Sequence, residues 1–361
     1  MKNPEIEVQV TPSIVYFSVD YLSPIGATAH TKEPAHLLPN VFAVVPIQKG
    51  KLSAGIGITV PYGIANTWDA PPTSPFRYTA PNFTELKTFN INPSIAMKLG
   101  DRVSIGAGLD VMWSELTLKQ FYPWVVFPGS AGTEPDGTAK AKGDGVGVGG
   151  NVGLTWNITD RQRLAVTYRS AIGIGYDGKF SIDGITPTAA ALGATPSSPF
   201  HTRVEFPNIV AAGYGIQLTD AIRVEVDVEW LEFSRFSALT LGVANNAFLL
   251  PSTTVVQDWK NTFTAGIGGD WKFAPDWTLR AGYQYYQSPV PDRTLSPTIP
   301  DADQNVLTVG LSYRHGRHAV EAAYGLDFYD RRTITANQNP AFNGVYDLKV
   351  HLFSTAYRYS F

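Results

Sequence analysis

The chain contains no cysteine, which excludes a disulfide framework and any thiolate-ligated metal centre. It is poor in charge: Asp, Glu, Lys and Arg make up 16% of its 361 residues, against ~25% in ordinary soluble domains. The net charge of −3 and the lack of a basic tract argue against a nucleic-acid partner. Long apolar runs are also missing. A membrane-spanning helix needs ~18 or more consecutive apolar residues, and no segment has them. No Ser- or Pro-rich linker separates unlike halves, so a length that in a soluble protein would suggest two or three domains reads as one unit over residues 1–361. No secretion signal precedes the first patterned segment. Met1 is followed by Lys2-Asn3-Pro4 and then a strand pattern, so a mature or shortened form is expected.

What the chain does have is aromatic residues, 12% of the total, placed on an alternation of period two. Residues 223–230 set Val224, Val226, Val228 and Trp230 on one face of a strand and Arg223, Glu225, Asp227 and Glu229 on the other. The same rhythm places Val103, Ile105, Ala107, Leu109, Val111 and Trp113 opposite Ser104, Gly106, Gly108 and Asp110. It recurs from Leu164, from Trp277 and from Val320, where Arg169, Arg280 and Glu321 fall on the polar faces. Apolar faces ending in Trp, Tyr or Phe against small or charged faces are the pattern of an outer-membrane barrel, with aromatic girdles at both interfaces. The chain closes on Tyr357-Arg358-Tyr359-Ser360-Phe361. That aromatic end is the kind of closing strand that barrel assembly machinery reads.

Counting such segments predicts an all-β, transmembrane antiparallel β-barrel of about fourteen strands. They fall at 5–22, 39–47, 51–63, 84–99, 102–121, 145–158, 162–180, 201–217, 220–238, 254–273, 276–288, 303–314, 317–331 and 345–361. Connections alternate between short turns, such as Gly100-Asp101 and His315-Gly316, and long ones at 64–83, 122–144, 181–200, 239–253, 289–302 and 332–344. The short turns are expected at the periplasmic side and the long loops outside. The glycines at alternate positions of 143–153 are no phosphate loop and are expected to make room in the lumen.

Four ordered segments carry a resemblance. They are Leu38-Pro39-Asn40-Val41-Phe42-Ala43-Val44-Val45-Pro46-Ile47, Ala165-Val166-Thr167-Tyr168-Arg169-Ser170 with Tyr176-Asp177-Gly178, Asp258-Trp259-Lys260-Asn261, and Ser288-Pro289-Val290-Pro291 with Ile299-Pro300-Asp301-Ala302-Asp303. Together they resemble the long-chain fatty acid transporter family of outer-membrane proteins, FadL/TodX. The resemblance implies a fourteen-stranded barrel with an N-terminal hatch. It also implies uptake of hydrophobic small molecules, fatty acids or aromatic hydrocarbons, by a monomer set among outer-membrane lipid and lipopolysaccharide. Asn3-Pro4 resembles the end of the hatch segment, so a hatch absent or truncated before residue 5 is expected.

Capture in the family occurs among outer loops. Phe121, Tyr122, Trp124, Val126 and Phe127 form an apolar stretch at the long loop 122–144, and Phe248 and Leu249 a second one; exposed patches of this kind mark binding surfaces. The other reading of the first is a loop packed on its neighbour. Leu348, Val350 and Leu352 share strand parity with Arg358 and would line the upper barrel if Arg358 points inward. In the family the third strand kinks and opens a lateral gap, and Pro61, Tyr62 and Gly63 fall at that place. Pro cannot donate to a sheet ladder; Pro93 and Pro207 mark further irregularities. Asp110, Arg169, Arg223, Glu225, Asp227, Glu229, Arg280, Glu321 and Arg358 are expected in the lumen, pairing with one another across it or once holding the hatch, with direct binding of a carboxylate as the other reading. None of the six His sits in a nucleophile motif and no metal-ligand spacing stands out, so no catalytic residue, cofactor or metal is expected. A passive porin, a structural or adhesive barrel and an outer-membrane hydrolase are the competing readings.

Overall fold

In a computed structural model, which describes residues 5–32, 35–244, 246, 249 and 254–361, the chain is a closed barrel of fourteen antiparallel strands. Strand β1 runs Glu7–Val10 and Ser13–Leu22. Strand β2 runs Thr28–His30, Ala35–Leu38 and Val41–Gln48, and β3 runs Leu52–Thr59 and Gly63–Thr67. Strands β4 (Phe83–Leu99), β5 (Val103–Tyr122) and β6 (Gly137–Asn157) are long and unbroken. Strand β7 is Gln162–Arg169 and Ile172–Ile182, and β8 is Ser197–Phe206 and Ile209–Gln217. Strands β9 (Ile222–Leu231), β10 (Thr262–Ala274), β11 (Trp277–Tyr286), β12 (Gln304–His315), β13 (His318–Tyr329) and β14 (Gly344–Ser360) complete the wall. Strand β1 pairs with both β2 and β14, which closes the barrel.

The alternation has a direct cause: lipid lies on one side of the wall and a polar lumen on the other. Ile105, Leu109, Val226 and Val228 are exposed on the outer face, while Asp110 on the opposite parity is fully buried. Trp156, Trp271, Trp277, Tyr313 and Phe361 lie exposed beside the short turns and form the girdle at that end. Several boundaries differ from the sequence pattern. Strand β6 begins at Gly137 rather than 145, because glycine and lysine positions that read as loop extend the ladder with β5 from Gly137↔Tyr122 onward. Phe121 and Tyr122 therefore end a strand instead of opening a loop. Strand β9 stops at Leu231, where a 3₁₀ turn at Phe233–Arg235 takes over, and β10 begins at Thr262 rather than 254. A short two-stranded sheet, Ala238–Thr240 with Thr254–Val256, forms a ladder of its own beside β8, where the Thr202 hydroxyl donates to the Thr240 carbonyl at 2.8 Å.

Two interruptions reshape the inside. On β3, Thr59 pairs with Asn90, whereas Gly63 pairs with Lys87. Val60, Pro61 and Tyr62 thus oppose only Thr88 and Phe89. One extra residue in a strand turns every later side chain to the other face. Ile56 and Ile58 face lipid, but Tyr62 and Ile64, of the same parity, pack into the interior. On β7, Arg169 points inward to Asp110 and Ile172, three residues on, is also buried inside. Strand β8 changes face in step, at Pro207-Asn208, between Phe206, which packs inside, and Val210, which is exposed. The Asn208 side chain covers the break: its Oδ1 accepts from the Ala171 N–H at 2.7 Å and from the Tyr168 hydroxyl at 2.8 Å.

Candidate functional site

The face exchanges build an apolar compartment in the outer half of the barrel. Strands β4 and β5 supply Leu86, Met112, Leu116 and Leu118, and β7 and β8 supply Ile172, Ile174, Tyr176, Phe180, Phe200 and Phe206. The inward face of β6 is bare at Gly145, Gly147 and Gly149, and β7 bows over it. A side chain at Gly145 would meet the Gly175 carbonyl, and one at Gly147 would meet Ile172 and Ile174. The room that these glycines were expected to make in the lumen is filled by β7. Across the compartment Tyr62 of β3 stacks on Phe206 of β8, with centroids 4.6 Å apart, and the Tyr176 hydroxyl donates to Ser114 Oγ at 2.7 Å.

A second apolar cluster fills the mouth beside β1 and β14. Val19, Tyr21, Tyr346 and Leu348 meet Trp68 and Phe76 of the loop after β3, and Val290 and Leu295 of the loop after β11. That last loop dips inward, its Pro297 carbonyl accepting from Asn66 Nδ2 and Trp68 Nε1, each at 2.8 Å. Its Asp301 accepts from the Ser288 hydroxyl at 2.6 Å. Burial pushes the Asp301 carboxyl up to about 6, against the pull of Ser288, Arg332 and Gln304. A carboxyl raised on folding contributes stability that is complete below its unfolded value, ~3.9, and lost as pH rises through the folded value. The loop should therefore loosen between pH 4 and 6, by on the order of 3 kcal/mol. An Asp301→Asn variant should show no such step when protease cleavage of residues 287–303 is followed against pH.

The stretch Phe121–Phe127 lies differently from an open patch. Trp124 is completely buried, its Nε1 donating to the Asp183 carbonyl at 2.7 Å, and Tyr122 and Phe127 pack against the same cluster. Phe121 lies under the Arg77 guanidinium, 4.0 Å from ring centroid to carbon, and Arg77 pairs with Asp136 at 2.7 Å. Only Val125 and Val126 are presented to solvent, Val126 at 75% exposure. The loop packs on its neighbours. Leu249 is buried in the same cluster, while Phe248 lies outside the described residues. Leu348 is buried and Val350 and Leu352 are half-buried on its side of β14, in unbroken register with β1 and β13.

At Pro61 the ladder between β2 and β3 is interrupted. Strands β2 and β3 are laddered from Val41↔Ile58 down to Gln48↔Leu52 and meet again only at the outer end, through the Thr31–Trp68 bridge and the Lys32 N–H to the Thr67 carbonyl. Between these points residues 35–40 bond only toward β1, and residues 59–62 carry no pairing with β2 among the described residues. The extra residue bows β3 inward, where the Tyr62 N–H donates to Thr88 Oγ1 at 3.1 Å. The slot this leaves in the β2–β3 ladder is an unbonded stretch between residues 35–40 and 59–62 among the described residues.

Beneath the compartment the lumen is charged. A cavity of about 430 Å³ is lined by Arg223, Glu225, Asp227, Asp270, Arg280 and Glu321. Arg223 pairs with Glu225 at 2.7 Å and Asp270 at 2.8 Å, Arg280 with Glu321 at 3.0 Å, and Arg358 approaches Glu321 at 4.0 Å. Asp110 accepts from Asn90 at 2.6 Å and Asn151 at 2.7 Å, with Arg169 at 3.8 Å; Glu229 accepts from Thr264 at 3.5 Å. The pairs lie within one strand, as Arg223 with Glu225 on β9, or link strands one or two apart along the wall, not opposite sides of the lumen. A separate shallow groove of about 600 Å³ on the outer wall, lined by Ile95, Met97, Ile105, Leu154, Val166 and Val210 with Thr167 and Tyr168, faces lipid and has too little polar lining to orient a solute.

A family model described as outer membrane protein transport protein (OMPP1/FadL/TodX) matches residues 4–361. The long-chain fatty acid transport protein of Shigella flexneri is 24% identical over 98% of this chain and 83% of its own length. Among solved structures, a Pseudomonas aeruginosa FadL homologue superposes with a TM-score of 0.84 at 24% identity, covering 99% of this chain and 90% of the other. The P. putida toluene transporter TodX superposes at 0.75 with 19% identity, covering 100% and 93%.

Proposed function

From its membership of the outer membrane protein transport family (OMPP1/FadL/TodX), to which this chain belongs, we propose that it carries hydrophobic molecules from the outer loops into the apolar compartment and releases them sideways through the slot between β2 and β3. The family is one of transporters in the outer membrane, not of enzymes. The observation that carries the route is the position of the slot, beside apolar side chains and above a charged lumen. Each methylene kept out of water is worth about 0.8 kcal/mol. A chain moving down among Arg223, Asp270, Arg280 and Glu321 would instead displace water from ion pairs, which is costly. The way out through the wall leads into lipid and keeps the chain apolar throughout. Capture would fall to Val125, Val126 and the loop around them, with Leu348, Val350 and Leu352 lining the inner side.

Two measurements on the reconstituted protein test this reading. Liposomes carrying it should take up labelled dodecanoate well above protein-free liposomes, and planar bilayers should show no large steady current, because two apolar clusters fill the mouth. A steady open-pore conductance without uptake of the acid would establish a passive porin instead.

A further inference from the structure

Among the inward-facing residues beside the slot, one is out of keeping with its surroundings. His36 sits on β2 opposite Val15 of β1, and Val15 is opposite Leu352 of β14. The three form a cross-strand row, neighbours about 5 Å apart, that runs from the apolar lining of β14 to the edge of the slot. Its parity is fixed at both ends: Val19 and Leu348, on the same faces of β1 and β14, are buried in the inner cluster, while Leu37 next to His36 is 64% exposed on the outside. Within this row the His36 Nε2 atom is buried and has no hydrogen-bond partner among the described residues. A buried imidazole nitrogen without a partner costs free energy, and such atoms call for an explanation. The neighbours in the ladder, Val15 and Ala35 to Leu38, offer it no side-chain donor or acceptor; Glu85 and Lys87 lie within electrostatic reach, yet neither bonds Nε2.

We propose that His36 is the head-group site of the lateral route, where the carboxyl end of a long-chain acid is held while its alkyl tail passes the slot; this rests on the sideways-release reading above. Neutral imidazole suits a carboxyl group in either state of that group. With the proton on Nδ1, Nε2 accepts from the O–H of the protonated acid. In the other tautomer Nε2–H donates to the carboxylate. A hydrocarbon can do neither. The site therefore separates acids from hydrocarbons of equal chain length, a distinction that the apolar walls cannot make.

The test compares dodecanoate with dodecane in liposomes carrying wild-type protein, His36→Phe or His36→Gln. His36→Phe keeps a flat ring and removes the polar atom; His36→Gln keeps a hydrogen-bonding end. His36→Phe is expected to weaken dodecanoate binding and uptake about 3- to 10-fold, the worth of one hydrogen bond, with dodecane unchanged and His36→Gln close to wild type. Equal losses for both ligands, or no loss for either, would overturn the head-group role and leave the sideways route standing. Wild-type liposomes that take up neither ligand would overturn the route and the head-group site together.

Discussion

Leucine in place of Gly147 is expected to lower the barrel's stability sharply. A Cβ at this position would lie 2.5 Å from Ile172 Cγ2, 2.7 Å from Ile174 Cγ1 and 3.0 Å from the Gly173 carbonyl oxygen. All three belong to the segment of β7 that bows over β6, so relief requires the strand to move rather than one side chain to rotate. Overpacking a filled core typically costs about 1–3 kcal/mol for added methylenes, and four heavy atoms added against a backbone carbonyl belong at the upper end or beyond it. Displacing β7 would also pull Tyr176 from Ser114 and carry β8 and Phe206 away from Tyr62, since β7 and β8 share one ladder. Urea unfolding in detergent, followed by tryptophan fluorescence, should show a large fall in midpoint for Gly147→Leu. Gly175→Ala, where a Cβ would meet nothing within 4 Å, should behave as wild type. Equal midpoints for Gly147→Leu and wild type would mean that β7 does not rest on the β6 glycines.

The outer wall was legible in the sequence for a plain reason. Lipid and lumen make opposite demands, so Val224, Val226 and Val228 declare one side and Arg223, Glu225 and Asp227 the other. The apolar compartment was not. Leu164, Val166 and Tyr168 occupy even positions and face lipid; Ile172, Ile174 and Tyr176 occupy even positions and face inward. Hydrocarbon outside and a packed core inside select the same residue types, so a face exchange leaves no trace in the pattern. The two prolines beside the exchanges, Pro61 and Pro207, were the available signal: each lacks the N–H that a continuous ladder would use. Trp124 was read as part of an apolar loop, yet its burial depends on Asp183, far along the chain, which no local pattern encodes. His36 passed as one of six histidines without a motif. Its significance comes from the row Leu352–Val15–His36, which exists only once three strands are paired.

Deleting Pro61 is the other change with a large expected effect. It removes the extra residue that sets Val60, Pro61 and Tyr62 against Thr88 and Phe89. Every pair from Gly63↔Lys87 to Thr67↔Phe83 then follows Thr59↔Asn90 without a break, and Tyr62 still falls opposite Thr88. The cost is confined to the outer end, where the pairing of Thr31 with Trp68 must shift by one residue. With β3 straight, its edge returns to the wall beside residues 35–40 of β2 and the slot narrows. The barrel itself should fold, because the fourteen-strand closure does not involve this segment.

Dodecanoate uptake by liposomes carrying the Pro61-deleted chain, with folded protein verified in the same preparation, is the most direct measurement of the sideways route. Uptake near that of protein-free liposomes from a folded barrel is the predicted result. Uptake at the wild-type rate from that barrel would contradict it, and would mean that the hydrophobic cargo leaves by another way.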